Sequence, residues 1–126
     1  MNTTEKELKA INEQIVATIL FLGTIIVSLS LSIDRRQKIL NKKAIYSNEK
    51  AQNIAIINRI IVVFIVLIYL QIDKENLDIT KEKQNQTNLA NLQIIAEIIT
   101  LIAALIALYI TYNSKTEDIS IENPGI

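Results

Sequence analysis

Glu97 stands inside an apolar run that extends from Leu89 to Tyr112, and its type and setting together suggest chemistry. Helical spacing puts Gln93, Glu97, Thr100, Ala104, Ala107 and Thr111 on one narrow stripe, bordered by Ala96 and Ala103, with Ile and Leu covering the remainder. A polar-to-small stripe on a greasy helix marks a face turned toward protein or water. An intramembrane carboxylate on that face is a candidate for handling a proton or an ion, with Gln93 and Thr100 as its polar neighbours. The competing reading is structural. Glu97 then locks a helix interface by hydrogen bonding to Thr24 or Gln14, or lies one turn deep if the bilayer begins near Ile94. The helix inserts in either case: a central acid costs about 2.5–3.5 kcal/mol, and the Ile and Leu residues from Ile94 to Ile110 return about 3–6 kcal/mol.

Composition excludes most other chemistry. The chain has 126 residues with no Cys and no His, so it offers no thiolate or imidazole metal ligand, no cysteine nucleophile, no disulfide and no histidine base. Gly23 and Gly125 are its two glycines, too few for a phosphate-binding loop or a dinucleotide turn. Thirteen Lys and Arg balance thirteen Asp and Glu, which argues against a nucleic-acid partner. One carboxylate without partner chemistry does not make an enzyme, and we expect neither catalytic residues, cofactor nor metal.

The elements that must position Glu97 are read from three apolar runs. They predict an all-α integral membrane protein with three transmembrane helices, at about 14–33, 51–72 and 89–112. About 20 residues span the roughly 30 Å hydrocarbon core. Residues 1–113 form one transmembrane domain, and the polar stretch 114–126 is expected to be a disordered tail. In the first run Glu13, Ala17, Thr24 and Ser28 share a face and suit close helix packing. Thr4 followed by Glu7 fits a capping box, so a helix is expected to start near Thr4 and run unbroken into the membrane. A cleaved signal peptide is not expected. Glu accompanies Lys before the run, the run is long, and no small-x-small cleavage site follows.

The connectors differ in charge. Residues 34–50 carry Arg35, Arg36, Lys38, Lys42, Lys43 and Lys50 against Asp34 and Glu49. Such cations can contact anionic lipid headgroups, at about 1 kcal/mol each near the surface. Ser47 or Asn48 is expected to cap the second helix. Arg59 falls within the second span, and we expect it to snorkel, joining Arg35, Arg36, Lys38, Lys42 and Lys43 as a headgroup contact. Because Ala55, Arg59, Val62, Val66 and Tyr69 share a face, the alternative turns Arg59 into the bundle. Residues 73–87 read as a polar, Asn/Gln-rich connector whose last part, 81–87, extends the third helix outward.

Orientation follows from Lys and Arg in short loops. The N-terminal segment and second loop hold five cations; the first loop, Arg59 and Lys115 hold eight. The positive-inside rule therefore makes this a multi-pass cell-membrane protein with its N-terminus outside and its C-terminus cytoplasmic. Tyr69, Tyr109 and Tyr112 fall where interfacial aromatics belong.

Residues 7–23 (ELKAINEQIVATILFLG) resemble the N-terminal part of uncharacterised small membrane proteins of clostridia-type, low-GC Gram-positive bacteria. The resemblance covers the first helix and the basic loop. It implies a membrane location and a bacterial source, and it carries no functional residue across. The expected function is that of a non-enzymatic accessory or regulatory subunit acting by helix packing. Its partners would be membrane lipids and either a second copy or a larger membrane protein. The alternative is an oligomeric pore-forming or ion- and proton-handling protein using Glu97. Three spans in this orientation also resemble one class of phage holin, from whose basic tail the acidic tail here departs.

Overall fold

The computed structural model describes residues 2–114, and within them the chain is all-helical. Three helices follow one another: α1 (Thr3–Ile39), α2 (Asn48–Glu82) and α3 (Asn88–Asn113). Each is long and apolar enough to cross a membrane. The expected tail lies, after Ser114, outside the described residues.

At 1.5 Å per residue α1 and α2 reach about 55 and 52 Å, whereas α3 reaches about 39 Å. The first two therefore overshoot a roughly 30 Å hydrocarbon core by several turns. The overshoot is concentrated where the start of α1 meets the end of α2, and there the helices form a charged stalk. Lys6 pairs with Glu82 and Lys83 with Glu7, while Lys9 bridges Glu75 at 3.5 Å and Glu13 at 3.6 Å. Thr3 Oγ1 also donates to Glu82, at 3.3 Å.

Two expectations about boundaries are corrected. The capping box belongs to Asn2 and Glu5, not to Thr4 and Glu7. Asn2 has the extended backbone that a cap requires, its side chain accepts the Glu5 N–H at 2.8 Å, and its own N–H donates to Glu5 Oε2. Thr4 is already helical, and Glu7 is engaged by Lys83. Residues 73–82 are not a loop but three further turns of α2, with Asp73 and Ile79 buried among them. The connector shrinks to residues 83–87 and does not extend α3.

Both helix ends close in the same way. Asn41 N–H donates to Lys38 O and Lys42 N–H to Gln37 O; Gln84 N–H donates to Lys81 O and Asn85 N–H to Thr80 O. This is the Schellman arrangement, with Asn41 (φ 55°) and Gln84 (φ 57°) in the left-handed position that glycine usually fills. Ser47 caps α2, as expected, by accepting the Lys50 N–H at 3.1 Å.

α2 is the central helix. It packs against α1 on one side and α3 on the other, while α1 and α3 do not pack on each other among the described residues. The α1 face is Ala10, Ala17, Thr24, Ser28, Leu31 and Asp34, which contains Ala17, Thr24 and Ser28 of the expected stripe, while Glu13 is half-buried and pairs with Lys9. The α3 seam is apolar: Val62 and Val66 meet Ala104, with Val63 and Leu101 alongside.

Candidate functional site

Leaving α1 and α3 unpacked against each other opens a crevice of about 520 Å³ toward the stalk end, floored by α2. Each helix supplies polar groups to it. From α1 come Glu7 and Gln14, from α2 Asp73, Asn76 and Lys83, and from α3 Gln93 and Glu97. Apolar side chains between them include Ala10, Ile11, Ile72 and Ile79, with Tyr69 at the inner end.

The helical period explains why these residues meet. On α2 the buried face runs Ala55, Arg59, Val62, Val66, then Asp73, in steps of three or four residues and their sums, so the face that packs in the apolar span also carries Asp73. Asp73 is the first charge after that span. Gln14 opens the apolar run of α1, and Glu97 lies on the α3 stripe at the same level. α1 and α2 pass from apolar to polar sequence here, and Glu97 faces that level from within the apolar run of α3.

Electrostatically the crevice is uneven. Glu7 and Lys83 neutralise each other. Asp73 is only 5% exposed, and its Oδ2 has no hydrogen-bond partner. Glu97 is half-buried, and no hydrogen bond or ion pair holds its carboxylate among the described residues. A buried polar oxygen without a partner costs about 1–3 kcal/mol, and more if charged.

Of the residues expected around Glu97, the structure brings in Gln93 and Gln14 but not Thr100 or Thr24. Thr100 Oγ1 donates to Ala96 O within α3, at 2.9 Å. Thr24 lies in the α1–α2 interface, where its hydroxyl donates to Phe21 O at 2.6 Å and its carbonyl accepts from Asn58. The lock between Glu97 and Thr24 is thus replaced by a lock between Asn58 and α1. Asn58 Nδ2 lies 3.3 Å from Thr24 O and 3.1 Å from Ser28 Oγ.

The basic residues divide. Arg36, Lys42 and Lys43 are exposed, and Arg35 is half-buried. Lys38 is held at 2.8 Å by Asp34, and Lys50 lies over the Tyr46 ring at 5.7 Å. Arg59 is a correction: it is 6% exposed and belongs to the packed face of α2, so it does not snorkel to the headgroups. The alternative that turned Arg59 into the bundle is the one the helical period produces, because Ala55, Arg59 and Val62 must share a face.

Sequence reasoning missed three residues. Asp73 could have been found by extending the Val62, Val66 and Tyr69 spacing one more step. Asn58 neighbours Arg59 on the same helix but gave no signal of its partner. Asp34 was counted only as a loop anion, yet it is 1% exposed and its Oδ1 accepts the Ile45 and Tyr46 N–H groups at 2.8 and 2.9 Å.

Compared with known proteins, the chain matches no family model, no curated protein and no solved structure.

Proposed function

We propose that this small membrane protein is a non-enzymatic accessory or regulatory subunit that works by helix packing, with its basic end in the cytoplasm. The observation that carries this reading is the open, two-seam arrangement around α2. Three polar side chains of α2 hold it to its neighbours. Asn58 bonds to α1, Thr18 Oγ1 meets Tyr69 Oη at 2.9 Å, and Gln52 Nε2 donates to the carbonyls of Thr111 and Ser114 at 2.8 Å each. α3 buries only Ala90, Ala104 and Thr111 and presents Ile95, Ile99, Ile102 and Ile106 outward. An apolar helix face of that extent suits a second copy or a larger membrane protein as well as lipid. The pore or proton-handling alternative is less well supported, because Glu97 lines a crevice at the level where α1 and α2 turn polar, with no polar path through the rest of the span among the described residues.

Because the chain has no cysteine, single-cysteine variants report contacts without background. Cysteines at Ile99 and Ile102 on α3, and at Ile15 and Ile19 on α1, are to be oxidised in intact membranes. Packing through α3 predicts a discrete adduct at Ile99 or Ile102 and little at Ile15 or Ile19. No adduct anywhere, or equal smears from every position, would count against the proposal. Labelling cysteines at Ser47 and Asn85 with an impermeant reagent in intact cells tests the orientation, which requires Asn85 alone to react.

A further inference from the structure

We propose that the crevice between α1 and α3 binds a small organic cation, an ammonium-bearing molecule with an apolar body. This goes beyond the packing role and does not depend on it.

Charge comes first. Asp73 is nineteen-twentieths buried, lines the crevice, and has an unpartnered Oδ2. Glu97 faces the same space from α3 with no hydrogen bond or ion pair on its carboxylate among the described residues. Lys83 at the rim is committed to Glu7. Two carboxylates are thus left uncompensated in one space, and a positively charged guest supplies the partner both lack.

Size and wall chemistry select the kind of cation. A volume of about 520 Å³ falls within the range of small-molecule sites, about 300–1,000 Å³, and far exceeds the roughly 30 Å³ share of one water. A bare alkali ion would leave most of it empty. No group of three or more acidic ligands occurs among the described residues, so the oxygen-rich shell that a hard divalent metal demands is lacking. Ile11 and Ile72 offer apolar wall, and Tyr69 adds an aromatic residue to the lining. The site also lies where the apolar layer meets polar sequence, so an amphipathic guest can keep its charged group beside Asp73 and Glu97 and turn its body toward the span.

The test uses the full-length protein in dodecyl maltoside micelles, titrated calorimetrically with benzylammonium chloride against empty micelles. Benzyl alcohol serves as the neutral aromatic comparator and potassium chloride as the alkali-cation comparator. The expected result is saturable binding with one site per chain. It should weaken about tenfold in each of Asp73→Asn and Glu97→Gln, and benzyl alcohol should show no saturable heat. Glu97→Gln keeps the test valid if Asp73→Asn misfolds, because no contact of the Glu97 carboxylate supports the fold; helicity by circular dichroism checks this. No saturable heat, equal affinity in Glu97→Gln, equal binding of benzyl alcohol, or displacement by potassium at matched concentration would each overturn the proposal.

Discussion

The two seams of α2 are built on different physics. Toward α1 the contacts are polar and particular: Asn58 to Thr24 and Ser28 in the span, Thr18 to Tyr69 near one end, and ion pairs along the stalk. Asp34 completes this side at the other end, holding the chain as it turns from α1 to α2. Toward α3 the centre is Val62 and Val66 against Ala104, and polar contact is left to Gln52 at the helix end. In lipid no hydrophobic force drives helices together, so a seam needs either interhelical hydrogen bonds or close approach of small residues. The α1 side of α2 uses both, hydrogen bonds alongside small residues such as Ala17 and Ser28, whereas the centre of the α3 side relies on close approach alone. The polar side fixes register, because Asn58 meets Thr24 O and Ser28 Oγ together only at one alignment of the helices. The apolar side fixes distance, because Ala104, 1% exposed, leaves no room for a larger group.

That contrast can be broken from either side. The largest effect is expected from Asp34→Ala, which strips the acceptor from two backbone N–H groups and frees Lys38. About 2–3 kcal/mol of stability should be lost in detergent-micelle unfolding followed by helicity, with Asp34→Asn losing less because it keeps an acceptor oxygen. Ala104→Leu should come next, since overpacking a tight contact costs about 1–3 kcal/mol. It should release α3 specifically, read as loss of an engineered disulfide between α2 and α3 while one between α1 and α2 still forms. If both disulfides survive, the apolar seam is looser than its burial implies. Asn58→Leu should cost about 0.6–1.7 kcal/mol, the range of interhelical hydrogen bonds in membranes. It should loosen the α1 side alone, and an equal loss on the α3 side would erase the distinction between the seams.

The smallest effect is at the stalk. The Lys6 ammonium, hydrogen-bonded to Glu82, holds that carboxyl below its ordinary value, with desolvation opposing it. The folded value is thus lower than the unfolded one. The tether is fully present above the ordinary Glu value of about 4.3 and is lost as pH falls through the lower folded value. Acidification from neutrality to about pH 3 should therefore lower the amide-exchange protection factors of residues 3–9 more than those of residues 99–106. Lys6→Ala should weaken that pH dependence, the Lys83–Glu7 and Lys9–Glu75 pairs remaining. Exposed ion pairs contribute little and are screened by salt, so the effect should shrink further in concentrated salt.

Much of this architecture was legible in the chain, for identifiable reasons. Each apolar run is long enough that only a helix satisfies its backbone in lipid. The small-residue faces of α1 and α3 follow from the 3.6-residue period, and both turn toward α2. Boundaries were harder. The end of α2 was hidden because Gln84, not glycine, occupies its left-handed closing position, and because 73–82 reads as a polar connector although Asp73 and Ile79 continue the buried face. Arg59 was misjudged by weighing the cost of a buried charge above the geometry of its stripe.

Sequence alone determined that the protein is three apolar helices joined by a basic turn and a polar one, because hydrophobic length and backbone satisfaction are local properties. It also determined which face of α1 and of α3 would pack. Tertiary structure decided the order of packing, with α2 between helices that do not meet, since that depends on how three surfaces compete for one another. The same choice opened the crevice and brought Asp73 beside Glu97. Residues 24 positions apart in the chain share one space because α1 and α3 both spent their packing faces on α2.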